Sequence, residues 1–233
     1  MLYRLRRRLG VRLRSALAAA VVVAMTLRSP LATVQANADL LDAAGLPAPV
    51  ARSVGRIRAE SARMARLVED LLLLARTDDQ ALRDRRQDVD LDDIVYTERE
   101  RLASEHPELD VRAVFEPVRV VGDGDGLLRV VRNVVDNAVR HAGHSVTISV
   151  GVRAGWAEVV IGNDGPPIPA ADRERIFGRF VRLDDSRSRA GGGSGLGLAI
   201  ARDIVTAHGG TLTVDDLEHG AAMRIRLPLP PTD

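Results

Sequence analysis

The strongest constraint on the fold is a heptad pattern of side chains between residues 50 and 77. Its members recur at alternating steps of four and three residues, and they are Val50, Val54, Ile57, Ser61, Met64, Val68, Leu71 and Ala75. Such a seam is typical of a helix that packs lengthwise against other helices, rather than of a helix with a single buried face. We therefore expect a long helix from about Val50 to about Thr77.

A shorter helix is expected upstream, because Ser29 can cap it and Pro30 then takes the first helical position, which suits proline. The apolar stripe of this helix consists of Leu31, Val34, Ala38 and Leu41. The turn after the helix is marked by Gly45, Pro47 and Pro49. The two helices predict an antiparallel hairpin over residues 28–80, which would leave apolar surface exposed in a monomer. A homodimeric four-helix bundle covers that surface economically, and packing on the chain's own second domain is the alternative.

The first 27 residues combine six arginines with a short apolar run from Ala16 to Leu27. The run is shorter than the roughly 20 apolar residues that a bilayer-spanning helix needs. The segment looks like a truncated membrane anchor, and two alternatives stay open: contact with the membrane surface, or packing as an ordinary helix.

The charge balance indicates no polyanionic partner. The 33 basic and 32 acidic residues leave a net charge of +1, so a nucleic-acid partner is not expected. The chain contains no cysteine, which excludes disulfides, thiol nucleophiles and zinc–thiolate sites.

After an acidic and arginine-rich linker at residues 81–90, the pattern changes to short strands mixed with helices over residues 91–229. Helices are expected at Asp92–Ser104, at Asp125–His141 and up to His208, and strands at Val111–Phe115, Val118–Val121, Ser145–Val152, Trp156–Ile161, Thr211–Val214 and Ala222–Leu227. This order predicts an α/β sandwich with helices on one face of a mixed sheet, so the whole chain is expected to be α+β.

The stretch Gly191–Ile200, GGGSGLGLAI, joins consecutive glycines to the beginning of an apolar helical pattern. Glycines allow backbone N–H groups to close on a phosphate chain, and a helix N-terminus favours negative charge. Taken alone, the glycines are equally consistent with a flexible linker. The choice between the two depends on the residues upstream.

Four stretches follow one another in a characteristic order. They are Asn133-Val-Val-Asp-Asn137-Ala-Val-Arg140-His141, Asn163-Asp164-Gly165-Pro-Pro-Ile168-Pro, Ile176-Phe177-Gly-Arg-Phe180 and Gly193-Ser-Gly195-Leu-Gly197-Leu198. This order resembles the N, G1, F and G2 boxes of the Bergerat-type ATP-binding domain of sensor histidine kinases. Residues 27–31 and 63–76 resemble that family's dimerisation and phosphotransfer hairpin. The resemblance implies two-component signalling, ATP and Mg²⁺ as cofactors, a homodimer, a response regulator as partner, and the cytoplasmic side of the cell membrane.

Asn133 and Asn137 lie four residues apart, so they share one face of a helix, and neutral amide oxygens suit Mg²⁺. Apolar neighbours predict that this helix is largely buried, and buried amides need partners, which favours a site over a solvated face. The resemblance implies that Asn133 binds the metal and that Asn137 faces the phosphates. It also implies that Arg140 brings positive charge to the phosphates and that His141 lies at the pocket rim.

The family has an aspartate at the first G1 position, where it accepts a hydrogen bond from the adenine amino group. This chain has Asn163 there, followed by Asp164, and Pro167 replaces the second glycine. An Asn oxygen can accept the same bond without charge assistance, so ATP binding is expected to survive. The other residues implied at the nucleotide are Asp164, Gly165, Ile168, Phe177, Gly193, Gly195, Leu196, Gly197 and Leu198. Core packing is the alternative for both Phe177 and Phe180, and residues 181–193 are expected to form a mobile lid.

The family's phosphoacceptor histidine and the acidic residue after it are missing. Met25 and Thr26 occupy these positions, and a thioether cannot accept a phosphoryl group. The five histidines of the chain are His106, His141, His144, His208 and His219, and none lies on the predicted hairpin. Self-phosphorylation by the family's route is therefore expected to be absent, and an internal deletion would explain the short apolar segment that precedes the hairpin.

Two functions remain open at this stage. The first is a sensor histidine kinase-type protein that binds Mg–ATP for phosphoryl transfer to a histidine and then to a response regulator. Without its own acceptor, it could phosphorylate an intact kinase in a mixed dimer. The second is a non-phosphorylating pseudokinase that binds ATP and sequesters a response regulator or assists its dephosphorylation. A serine-kinase anti-sigma factor is disfavoured, because those proteins lack a hairpin that resembles residues 67–76.

Overall fold

The computed structural model describes residues 30, 32–34, 36–41, 46–75, 86–181, 195–217 and 219–231. The chain divides into two compact units, Met1–Thr77 and Asp78–Asp233. The predicted N-terminal segment, Met25, Thr26 and Gly193 lie outside the described residues. None of the described helices combines the length and apolarity needed to cross a membrane.

The first unit is helical wherever its secondary structure is described, apart from residues 46 and 47. A first helical segment covers the described residues between 30 and 41. Helix α1 spans Ala48–Ala75, close to the predicted bounds. Arg58 of α1 approaches Asp39 of the first segment to 4.0 Å, so the two segments lie side by side at this level.

The heptad pattern of α1 separates into two rows that differ in burial. One row is buried, and its members are Val54, Ser61 and Val68. The other row is between 41% and 52% exposed, and its members are Val50, Ile57 and Met64. Within one chain, therefore, only one of the two described rows is covered.

The second unit contains three α-helices and seven strands in its described residues. The helices are α2 (Leu91–Glu105), α3 (Gly124–His141) and α4 (Gly197–Ala207). The strands are β1 (Gln87–Asp90), β2 (Asp110–Phe115), β3 (Arg119–Gly122), β4 (Ser145–Arg153), β5 (Trp156–Asn163), β6 (Thr211–Val214) and β7 (Ala221–Pro228). Short 3₁₀ turns cover Ala170–Asp172 and Arg175–Phe177.

Five strands form one mixed sheet in the order β2-β4-β5-β7-β6. The β2–β4 pair is parallel and the other pairs are antiparallel. Along β4 the buried residues Val146, Ile148 and Val150 alternate with more exposed ones, as expected for a sheet with one covered face. Helices α2, α3 and α4 all contact the sheet. The predicted α+β class, a helical N-terminal part followed by a mixed sheet with helices, is confirmed.

Strand β1 is the clearest difference from the sequence prediction, since it lies within the stretch that was assigned to the linker. It pairs antiparallel with β3, with Val89 opposite Val120. Both of these valines are buried. Because β1 has a single apolar residue among charged neighbours, its alternation is too short to be recognised without its partner strand.

Candidate functional site

Helix α3 presents the two asparagines from a well-buried scaffold. Its buried face consists of Leu127, Val130, Val131, Val134, Val135 and Ala138. Asn133 and Asn137 are partly buried at the border of this face. Arg140 and His141 occupy the last turn and are exposed. The positive charge of Arg140 is favourable at a helix C-terminus, where the backbone carbonyl groups carry partial negative charge.

The side chain of Asn133 lies against the beginning of α4. A Cβ atom placed on Gly197 would come within 3.2 Å of Asn133 Oδ1. Asn133 Nδ2 is buried, and it is the only buried side-chain polar atom without a hydrogen-bond partner among the described residues. Buried polar groups normally have partners, so this atom indicates a position that a ligand or water completes.

An asparagine here suits a metal–nucleotide complex. Rotation of the amide can present either its oxygen to a cation or its N–H₂ group to a phosphate. In the part of the chain that the structure describes, no group of three or more His, Cys, Asp or Glu side chains could hold a metal ion. The amide oxygen of Asn133 is a hard oxygen ligand of the kind that Mg²⁺ accepts, together with phosphate and water.

The turn after β5 orients the side chain of Asn163. The backbone N–H of Gly165 donates to Asn163 Oδ1 at 2.9 Å, which fixes the direction of the amide. A Cβ atom on Gly165 would overlap the carbonyl oxygen of His141, so the turn packs directly on the end of α3. The first and second sequence boxes, including Asn163, Gly165 and His141, are thereby brought together.

Asp164 is held by the backbone of the loop before β4. Its carboxylate accepts hydrogen bonds from the N–H groups of Gly143, His144 and Ser145 at 2.8–3.1 Å. The bonds from His144 and Ser145, followed by that from Gly143, hold the pKa of Asp164 well below its ordinary value. In this geometry the Asp164 carboxylate connects the turn to the loop after α3.

Gly220 supports the same turn, and the sequence analysis missed it. It has a φ of 74°, and a Cβ atom there would overlap the carbonyl oxygen of Asn163. A residue with a side chain would therefore be strained and would displace the turn. The signal available in the sequence was a glycine two residues before a predicted strand, which is common in ordinary turns.

The third and fourth boxes meet at the beginning of α4. Phe180 N–H donates to the carbonyl oxygen of Gly195 at 2.8 Å, and both residues have positive φ, 63° and 68°. Phe177 is buried, with the guanidinium carbon of Arg202 5.0 Å from its ring centroid. Phe180 is 68% exposed. Phe177 thus packs in the interior, as in the core alternative, and Phe180 lies at the surface.

Some of the remaining predicted site residues lie in the part of the chain that the structure describes, and others lie outside it. Leu196 is buried, and its carbonyl oxygen accepts the N–H of Ile200 at 2.9 Å. Gly197 and Leu198 are partly buried, as is Ile168, whose carbonyl oxygen accepts Arg173 Nε at 3.1 Å. Of the predicted lid at residues 181–193, only Val181 is described. The structure therefore places the Asn133 side chain at Gly197 and the Asn163 turn at the end of α3.

Two family models match the chain. The model described as "Histidine kinase-, DNA gyrase B-, and HSP90-like ATPase" matches residues 122–231. The model described as "His Kinase A (phospho-acceptor) domain" matches residues 23–80. The first match includes the four boxes, and the second includes the heptad pattern.

Similarity to individual proteins agrees with the two family models. The chain is 38% identical over 208 residues to the probable sensor histidine kinase TcrY of Mycobacterium tuberculosis, with 87% of this chain and 44% of TcrY covered. It is 36% identical over 213 residues to the sensor protein CutS of Streptomyces coelicolor, with 87% of this chain and 50% of CutS covered. A solved structure of the mycobacterial sensor histidine kinase MprB is 35% identical with a TM-score of 0.56, and covers 63% of this chain and 99% of that one. The chain thus spans about half the length of the curated relatives.

Proposed function

This chain belongs to the sensor histidine kinases of two-component signalling, and from that premise we propose that it binds Mg–ATP without phosphorylating its own hairpin. The observation that carries the ATP proposal is the buried, unpartnered Asn133 Nδ2 beside Gly197. An amide in this environment needs a partner, and a nucleotide phosphate with its metal ion provides one.

In the proposed complex, Asn133 holds the metal, while Asn137 and Arg140 bind the phosphates and His141 lies at the rim. The Asn163 turn, with Gly165 and Ile168, takes the adenine end, and Asp164 fixes that turn. The backbone from Gly193 to Leu198 closes on the phosphates, where the N-terminus of α4 favours negative charge. Bound Mg²⁺ would supply neutralising charge to the phosphate oxygens.

The missing acceptor supports the second half of the proposal. Residues 23–80 match a model for phosphoacceptor domains, yet this stretch contains no histidine. Met25 and Thr26 occupy the acceptor and acidic positions. A chain with a usable ATP site can still act on an intact kinase in a mixed dimer. The same substitution favours a second candidate, a pseudokinase that binds ATP and sequesters a response regulator or helps to dephosphorylate it.

We further propose that the hairpin forms a homodimer. The exposed row of Val50, Ile57 and Met64 supports this, because each member places a large apolar side chain in water. A second copy would cover that row in a four-helix bundle. A response regulator as partner, and a place on the cytoplasmic side of the cell membrane with surface contact through the N-terminal segment, follow from the family and the basic apolar sequence.

Calorimetric titration of the full chain with a non-hydrolysable ATP analogue tests the nucleotide proposal. The parent is expected to bind one equivalent in the presence of Mg²⁺, and Asn137→Ala is expected to remove most of the affinity. Asn37→Ala is the matched control, because Asn37 is exposed in the helical unit and should leave binding unchanged. Absence of binding by the parent would overturn the proposal.

A further inference from the structure

Helix α2 carries a glutamate that is completely buried. Glu98 has 0% exposure. Its Oε2 accepts Arg101 Nε at 2.7 Å, and its Oε1 accepts Arg132 Nε and Nη2 at 3.0 and 2.7 Å. Both oxygens are therefore paired with guanidinium groups, one from α2 and one from α3.

The same cluster contacts α3 at a second point. Arg101 Nη2 donates to Asp136 Oδ1 at 2.7 Å, and Arg101 Nη1 donates to Glu105 at 2.7 Å. Burial alone would lower the pKa of Arg101, but its bonds to Glu98 and Asp136 raise the pKa above its ordinary value. Arg101 is thus fully charged, and it bridges two acidic groups on different helices.

The two points on α3 directly precede the two asparagines of the site. Arg132 comes before Asn133 and Asp136 comes before Asn137. Successive residues of an α-helix differ by about 100° around its axis. The side chains of Asn133 and Asn137 are therefore turned by a fixed angle from those of Arg132 and Asp136. A cluster that fixes Arg132 and Asp136 therefore also fixes the rotation at which both amides meet the site.

Directional bonds distinguish this cluster from apolar packing. A buried carboxylate must be paired, and its replacement by an amide leaves Arg132 without a carboxylate partner and Arg101 with two of its three. Paired guanidinium–carboxylate bonds restrict geometry more tightly than an apolar contact, which tolerates small rotations. Ion pairing at a buried carboxylate adds little net stability compared with apolar residues of similar volume, so the effect of Glu98 on helix position is the more distinctive contribution.

We propose that Glu98 is a positioning residue for the nucleotide site. It sets the rotation of α3 directly through Arg132, and indirectly through Arg101, which bonds Asp136. This inference rests on the proposed function in one respect: the binding measurement that tests it requires that the parent chain binds the nucleotide. It also predicts an effect on the ligand-free protein, because the rotation of α3 exists without nucleotide.

The test compares Glu98→Gln with Glu158→Gln in the full chain. Glu158 is a matched control, since it is also buried and also paired with two arginines, Arg224 and Arg226. Its partners lie on β7, so its loss should weaken the sheet without turning α3. Both variants are expected to unfold at a lower temperature than the parent. Measurements are made well below both transitions, where the variants are equally folded.

Glu98→Gln is expected to weaken binding of the Mg–ATP analogue by about tenfold, the lower end of the losses seen when residues that orient metal ligands are removed. Glu158→Gln is expected to bind as the parent does. In the absence of nucleotide, the NMR signals of the Asn133 and Asn137 side-chain amides should shift in Glu98→Gln and not in Glu158→Gln. Asp136→Asn is a milder change at a partly exposed residue, and it should shift the same amide signals in the same direction. It replaces Glu98→Gln in the test if that variant does not fold.

Equal losses of affinity in the two glutamine variants, or unchanged amide signals in Glu98→Gln and Asp136→Asn, would overturn the positioning role. If the parent itself failed to bind the analogue, the proposed function would fail. The amide signals would still decide whether Glu98 positions α3.

Discussion

Asn133 and Gly197 touch across the candidate site, with Asn133 Oδ1 3.2 Å from the position that a Cβ on Gly197 would occupy. The contact joins the middle of α3 to the first residue of α4. A methyl group at position 197 would be closer to that oxygen than most Cβ contacts are, so the amide would have to move by a few tenths of an ångström.

Gly197→Ala is therefore expected to weaken binding of the Mg–ATP analogue by about fivefold, the equivalent of one hydrogen bond of about 1 kcal/mol. Stability should not fall, since alanine is the better helix former. Gly55→Ala is the control, because no atom lies within 4 Å of a Cβ there, and it should leave affinity unchanged. Titration calorimetry measures both variants. An unchanged affinity for Gly197→Ala would count against Asn133 as a ligand-binding side chain.

Asn163→Asp is expected to strengthen adenine nucleotide binding. Asn163 Oδ1 accepts the N–H of Gly165, which leaves the amide nitrogen, a donor, as the other polar atom. A carboxylate would keep that bond and add a second acceptor for the adenine amino group. A charge-assisted bond exceeds a neutral one by about 1 kcal/mol, so affinity should rise about fivefold. Equal or weaker binding by the variant would contradict contact between Asn163 and the base.

Asp164→Asn is expected to destabilise the ATP-binding unit in a pH-dependent way. The folded-state pKa of Asp164 is depressed, so its stabilising effect is present above the unfolded pKa of about 4 and is lost as pH falls toward the folded value. The difference in urea midpoint between parent and variant should be large at pH 7 and should shrink below about pH 4. A difference that stayed constant across this range would show that the Asp164 charge is not responsible.

Ile57→Glu is expected to dissociate the hairpin dimer. Ile57 belongs to the row of α1 that the chain itself leaves uncovered, at 52% exposure, and a buried unpaired carboxylate in a dimer seam is costly. Arg56→Glu changes an exposed neighbour outside the heptad pattern and should leave the dimer intact. Sedimentation velocity distinguishes the two states. A parent that sediments as a monomer would contradict the bundle proposal.

The sequence alone predicted most elements because their patterns are local. The apolar spacing that includes Val130, Val134 and Ala138 indicated α3, and the bounds of β6 were predicted at Thr211–Val214 as observed. For Gly197 and Asn133, the sequence predicts only that their two boxes belong to the same site, not that the two residues approach each other. The distance between Asn133 and Gly197 and the unpartnered amide nitrogen of Asn133 are evident only from the structure.

The features that escaped prediction depend on residues distant in the chain. Glu98 looks like one charged residue of a solvated helix until Arg132 is brought to it by folding. Asp164 is predicted among the nucleotide-binding residues, yet its carboxylate is held by N–H groups of residues 143–145. Charged residues have no periodic signature that separates a paired, buried position from an exposed one, so only tertiary structure assigns them.

Restoring the acceptor tests the central claim, a usable ATP site on a hairpin without its target. The double substitution Met25→His and Thr26→Glu supplies the missing histidine and acidic residue. With ATP labelled at the γ-phosphate, the double variant should gain acid-labile label, while the parent, and the double variant that also carries Asn137→Ala, should gain none. Label on the parent, or none on the double variant once its folding is verified, would contradict the account.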